Sequence, residues 1–276
     1  MLCRPQKEFA SRYLGYYLNS EQYHKQVIRL LVGTKVYSIN KKAITDTVLK
    51  CPCLEEQQKI ADFLSSVDDV ITASEQEVAN LEEQKKGVMQ KIFSQEVRFK
   101  ADDGSDYPEW EEKVFTEIFE SIATKSYQIQ TSECLDSGTY EVVDQGQSLV
   151  SGYSNLSDKV FNELPIIVYG DHTTIVKYRI KEFIIGADGT KLLRNKNEDD
   201  DLKYLFYCLC KNNVPQQGYK RHFSDLKEKK MPIPCLEEQQ KIADFLSDFD
   251  TAIDLAKQEL EQWKELKKGL LQQLFE

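Results

Sequence analysis

A fourteen-residue string occurs twice in this chain of 276 residues. Residues 52–65 read PCLEEQQKIADFLS, and residues 234–247 repeat them letter for letter, 182 positions later. An internal repeat constrains the architecture more than any single motif, because missing it mis-reads the whole fold.

Each copy opens a segment of about 40 residues with helical periodicity. In the second segment the apolar positions are Ile242, Leu246, Phe249, Ile253, Ala256, Leu260, Trp263, Leu270 and Leu274, with Lys267 filling the one gap. Shifted back by the same interval, the first segment places Ile60, Leu64, Val67, Ile71, Ser74, Val78, Leu81, Lys85, Val88 and Ile92. Alternating steps of four and three give a mean period of about 3.5, the seam of helices that wrap one another. Each segment follows a proline and carries two glutamates in its first turn, Glu55 and Glu56 or Glu237 and Glu238, with lysines gathered later. That order suits the helix dipole. Neither helix can bury its seam alone, so each needs a mate, and the nearest is the other copy.

Charge is unevenly placed. The net charge is −10, but residues 55–96 hold ten acidic groups against four basic, and residues 237–276 ten against five. Basic groups outnumber acidic ones by six to two in residues 172–197 and again in residues 211–230. Nucleic-acid binding follows local patches of this kind, not the total. Seven cysteines without a disulfide pattern read as free thiols of a reducing cytoplasm. Cys51-Pro-Cys53 and Cys208-Leu-Cys210 have no second pair or histidines at zinc spacing. No apolar run approaches the roughly 20 residues needed to cross a membrane, and the start is not a signal peptide.

Upstream of each copy the order of features also recurs. Residues 12–18 (RYLGYYL), a glycine at 33 and the pair Ala43-Ile44 precede the first copy. Residues 203–209 (KYLFYCL), Gly218 and Asp225-Leu226 precede the second. Residues 1–51 therefore match the tail of the domain that lies between the helices. Residues 97–113 form a linker, rich in turn formers at 101–110, and Trp110, Val114, Phe115, Ile118 and Phe119 suggest a packed helix. Residues 140–143, 166–169, 174–178 and 183–185 read as short strands, and helical signal returns at 199–212.

A proline, then LEEQQKIADFL with an aspartate soon after (Asp68, Asp250), a Pro-x-Trp opening to the next module (Pro108, Trp110) and duplication of the whole unit together resemble the specificity subunit of type I restriction–modification systems. The resemblance covers essentially the whole chain. It implies a mixed α/β fold: one α+β target recognition domain flanked by two long antiparallel coiled-coil helices, plus the C-terminal remnant of another recognition domain. The expected boundaries are 1–51 for that remnant, truncated at its head, 52–97 for the first helix, 98–233 for the recognition domain and 234–276 for the second helix. Helix pairing is expected at Ile60, Leu64, Val67, Ile71, Val78, Leu81, Ile242, Leu246, Phe249, Ile253, Leu260 and Trp263.

The resemblance further implies a non-catalytic subunit that binds double-stranded DNA and assembles with a methylation subunit and a restriction subunit. S-adenosylmethionine, ATP and magnesium belong to those partners and no cofactor to this chain; two copies can combine through the long helices. No Asn-Pro-Pro-aromatic stretch, P-loop or metal-ligand cluster is present in the sequence to argue otherwise. The competing reading is a coiled-coil assembly protein or an inactive decoy from a silent cassette. Candidate DNA contacts are Gln145, Gln147 and Ser148, whose polar side chains suit base edges; His172, Thr173, Lys177, Tyr178 and Arg179, a small-residue turn running into cations; Lys191; and Tyr219, Lys220, Arg221 and His222 at a glycine turn. Phosphate is the natural target of the lysines and arginines.

Overall fold

The computed structural model describes residues 8–33, 37–186, 188–218 and 220–275, and leaves the side chains of residues 41 and 43 undescribed. Helices α1 (Tyr13–Leu18), α2 (Glu21–Ile28) and α3 (Lys41–Thr45) precede the long α4 (Leu54–Phe93). Strand β1 (Glu111–Val114), the single turn α5 (Phe115–Ile118) and β2 (Phe119–Ile122) follow. Then come β3 (Tyr140–Val143), β4 (Gly152–Ser154), β5 (Ile166–Gly170), β6 (Val176–Arg179), β7 (Phe183–Ile185) and β8 (Thr190–Asn195). The chain closes with α6 (Leu202–Asn212), α7 (Phe223–Leu226), β9 (Lys230–Ile233) and the long α8 (Leu236–Leu274). It divides into two units, one of residues 1–83 and 250–276, the other of residues 84–249.

In the first unit, the N-terminal part of α4 runs against the C-terminal part of α8. Lys257 meets Glu82 at 2.6 Å, Lys264 meets Glu75 at 3.2 Å and Lys267 meets Asp68 at 2.5 Å. The numbers rise on one helix as they fall on the other, so the pair is antiparallel. Exposed pairs like these fix register more than stability. The seam itself is inside: Leu64, Val67, Ile253 and Leu260 are buried, and Ile60, Ile71, Val78, Leu81 and Trp263 are half-buried. Helix α1 caps this pair through Tyr13 and Tyr17, whose rings meet Phe275 edge-on at 5.6 and 5.3 Å. Ser20 then starts α2, accepting from the Tyr23 amide and donating to the Tyr17 carbonyl.

In the second unit, β2, β8, β5 and β6 form an antiparallel sheet in that order, and β4, β3 and β7 a second, with β3 and β7 parallel. Strand β5 is buried along its whole length, and its side chains alternate between two cores as a strand's must. Ile166 and Val168 pack with Val143, Phe161, Phe183 and Ile185 under the second sheet. Ile167 and Tyr169 pack with α6, with Ile92 and Phe93 at the end of α4, and with Ile242, Ala243 and Leu246 at the start of α8. The result is a three-layer domain, helices against a four-stranded sheet against a three-stranded one. Phe249 is half-buried.

The expected helix at 110–119 is a correction. Only the turn Phe115–Ile118 is helical, between β1, which pairs with β9, and β2, which pairs with β8. Apolar positions at 114, 115, 118 and 119 satisfy a helical spacing, but their ladder partners lie more than 70 residues away and leave no local signal. The strand expected from 174 begins at 176, because Thr174 takes a left-handed turn conformation with φ 58°. Strand β8, the central partner of β5, was hidden among basic residues. The strands at 140–143 and 183–185 and the helix near 199–212 form as the sequence indicates.

The duplication persists in hydrogen bonding. Gln57 Nε2 donates to the Pro52 carbonyl at 2.9 Å, and Gln239 Nε2 to the Pro234 carbonyl at 3.0 Å. Gln57 Oε1 accepts the amide of Ala10 ahead of α1; Gln239 Oε1 accepts the amide of Asp201 ahead of α6. The Tyr13 hydroxyl reaches the Lys50 carbonyl, and the Tyr204 hydroxyl the Pro232 carbonyl. Thus α1 docks on α4 by the same bonds with which α6 docks on α8.

Candidate nucleic-acid interface

The loops after β3, β5 and β7 leave the same edge of the two sheets, where the loop after α6 joins them. Gln145 ties three together. Its Oε1 accepts the His172 amide at 3.0 Å, its Nε2 donates to the Asp188 carbonyl at 2.9 Å, and its own carbonyl accepts the Thr173 hydroxyl at 2.5 Å. Two glycines permit this approach. A Cβ at Gly170 would stand 2.1 Å from Thr173 Oγ1, and one at Gly189, whose φ is +84°, would stand 2.9 Å from both Gln145 Nε2 and His172 Cδ2.

The fourth loop is fixed by Asp171 and His222, both buried. The Asp171 amide donates to the Gly189 carbonyl and its Oδ1 accepts the Phe223 amide at 2.9 Å. Its carbonyl accepts the His222 amide at 2.8 Å and faces His222 Nδ1 at 3.1 Å. His222 Nε2 accepts the Gln217 amide at 3.0 Å. A backbone amide can only donate, so Nε2 is bare and the proton sits on Nδ1, donated to Asp171. Asn213 Nδ2 on the Thr174 carbonyl and Gln216 Nε2 on the His172 carbonyl complete the link. The rim is therefore a hydrogen-bonded platform rather than four independent loops.

The structure sorts the candidate residues by what they can reach. Gln147, Ser148, Lys220 and Arg221 are exposed, and His172 is half-buried beside them. Lys220 pairs with Asp225 at 2.9 Å; the Arg221 side chain has no hydrogen-bond or ion-pair partner among the described residues. Lys191 lies over the Phe223 ring at 5.7 Å. Tyr219 falls outside the described residues.

Four expectations fail on geometry. The Lys177 ammonium is buried, donating to the carbonyls of Asp144 and Ser148 at 2.8 and 2.5 Å; burial pulls its pKa down, partly offset by Asp144. It braces the 144–148 loop from below and cannot reach a phosphate. Arg179 stands opposite Ile166, at the far end of β5, where it is buried, bonded to Glu141 and laid over Phe183. Tyr178 faces α6, against Phe206 at 5.5 Å and under Lys203. His222 is fully buried and serves the platform, not a ligand. Asp171 and Asn213, which hold the platform together, were missed; a short polar residue beside a turn glycine is their only local sign.

Outward amides and hydroxyls over a rigid base, with cations at one side, suit a groove of duplex DNA: polar side chains for base edges and Arg221 and Lys220 for phosphates. No group of three metal-binding side chains occurs among the described residues. No helix described is long and apolar enough to cross a membrane.

Comparison with known proteins points the same way. The chain is 27% identical over 276 residues to the type I restriction enzyme MjaVIII specificity subunit of Methanocaldococcus jannaschii, covering 88% of this chain and 64% of that protein. It is 26% identical over 303 residues to the MjaX specificity subunit of the same organism, across 100% of this chain and 70% of the relative. Its fold matches the crystal structure of a type I restriction–modification S subunit from M. genitalium with a TM-score of 0.62 at 18% identity, over 96% of this chain and 72% of that one. Residues 2–83 and 107–265 each fit the model of the type I restriction modification DNA specificity domain. The chain belongs to that family.

Proposed function

We propose that this chain is the DNA-specificity subunit of a type I restriction–modification complex. One observation carries the reading: four loops of the domain between the repeated helices are locked into one platform whose outward groups are amides, hydroxyls and cations. The platform reads duplex sequence, and the bound DNA is presented to partner subunits that hold S-adenosylmethionine, ATP and magnesium. The chain itself positions and performs no chemistry, in the cytoplasm where such complexes act. The methylation subunit docks on the long helices; Leu255 and Leu266, 61% and 48% exposed on α8 and outside its seam, supply apolar surface for it. Residues 1–51 are the counterpart of the C-terminal part of a recognition domain, a reading supported by the duplicated bonds of Gln57 and Gln239.

The test is the salt dependence of duplex binding by the chain in complex with its methylation subunit. Each phosphate contact adds about 0.9 to the slope of log affinity against log salt. Arg221→Ala is expected to lower that slope by about 0.9, and Lys220→Ala by less, since Asp225 already neutralises part of its charge. An Arg221→Ala complex with unchanged affinity and slope would remove this loop from the interface.

A further inference from the structure

The two copies of the repeat, identical in sequence, place one glutamate in different surroundings. In the second copy Glu238 is fully buried. Its Oε2 accepts from Arg98 Nη2 at 2.8 Å and from Trp110 Nε1 at 2.9 Å, and its Oε1 from Arg98 Nε at 3.2 Å. The Trp110 indole stands edge-on to Phe93 and Tyr204, both at 6.4 Å. Beside it, Phe99 packs on Phe245 at 5.6 Å. The linker that crosses from α4 to β1 thus plugs the start of α8.

The first copy has every element of the socket. Glu56 stands at the position of Glu238, and Phe275 and Tyr13 stand at those of Phe93 and Tyr204, their rings at 5.6 Å. Among the described residues, however, no arginine or tryptophan meets Glu56, which is exposed. A cavity of about 320 Å³ opens there, lined by Tyr13, Tyr17, Pro52, Glu56, Ile60 and Phe275. Phe63, the counterpart of Phe245, is 49% exposed. Aromatic rings and a carboxylate at the mouth of a cavity this size suit one large aromatic side chain and one cation.

We propose that this cavity is a docking socket for a peptide segment of the kind formed here by Arg98–Trp110, supplied by another module of the same family. The arginine and indole of that segment pair with Glu56, the indole packs on Phe275 and Tyr13, and a phenylalanine covers Phe63. The occupant is identified by the chain's own duplicate, which shows the socket filled. The socket lies in the unit that does not carry the DNA platform, so the proposal stands apart from the DNA reading.

The test uses the whole chain and a fluorescein-labelled peptide of residues 95–112, with anisotropy as the readout. Binding is expected, and about tenfold or greater weakening with the Arg98→Ala peptide, the Trp110→Ala peptide or the Glu56→Gln chain, as expected for loss of a charge-assisted bond. Glu56 is exposed, so that variant keeps its fold, and its duplex affinity should match the parent's. A benzophenone in place of the peptide's tryptophan should label the region of Tyr13 and Phe275. Equal binding of all peptides, labelling at Phe93 and Tyr204 instead, or self-association of the chain that Glu56→Gln abolishes would each overturn the assignment.

Discussion

Because the same glutamate occurs once buried and once exposed, a single substitution made at both positions measures what burial adds. In Glu238→Gln the amide keeps one acceptor oxygen but turns an NH2 toward Arg98 or Trp110. At least one charge-assisted bond is lost, and a guanidinium whose side chain is only 21% exposed is left with only the exposed Glu109 carboxylate, at 3.7 Å, as counter-ion. Bonds to charged groups contribute about 1.5–3 kcal/mol, and breaking a buried pair costs about 3–5 kcal/mol. The carbonyls of Tyr107 and Pro108 still hold Arg98 Nη2, which puts the cost near the lower bound, about 3 kcal/mol. For a unit of this size that corresponds to a fall of about 6–12 °C in Tm. Trp110 sits in the affected socket, so its emission in a Trp263→Phe background reports the melt of that unit. The same change at Glu56, followed through Trp263, should stay within about 0.5 kcal/mol of the parent. If Glu238→Gln cost less than about 1 kcal/mol, or Glu56→Gln cost as much as its duplicate, the argument from buried pairing would be wrong.

Two further outcomes follow from particular bonds. His222→Ala removes the acceptor of the Gln217 amide, so exchange at that amide should quicken about tenfold or more while the β5 amides stay protected; unchanged exchange at Gln217 would show that the imidazole does not hold the loop. Burial pushes the pKa of Tyr13 up to about 12, helped by Cys51, Tyr17 and Glu56. A phenol that ionises later in the folded chain stabilises it fully below its unfolded pKa near 10, and that contribution disappears as pH climbs toward about 12. Alkaline unfolding followed by helical circular dichroism should therefore show a shallower loss of stability between about pH 10 and 12 in Tyr13→Phe; an identical pH profile would refute the linkage.

The helices were legible because a heptad seam is local: Leu64 and Val67 share one face of α4, Leu246 and Ile253 one face of α8, and burial follows the period. The recognition domain was legible where strands alternate on their own, as at 140–143 and 183–185, and opaque where a strand owes its existence to a distant partner, as β8 does. For the candidate interface, the loops picked from the sequence meet at one rim of the fold, but their division of labour was not visible. Lys177 and Arg221 are both cations near a turn. Only the fold sends the first inward, onto carbonyls about 30 residues earlier in the chain, and leaves the second facing water.

The order of residues alone establishes that two equivalent rods exist, which residues line them and that a mixed domain lies between. The tertiary structure decided which copy of a repeated glutamate is covered, which polar residues bind the four loops together and which cations stay outside. The reason is physical: helical and strand periods are written in neighbours a few positions apart. Burial of a charge, by contrast, depends on groups brought together from 29 to 140 residues away, and no window along the chain records them.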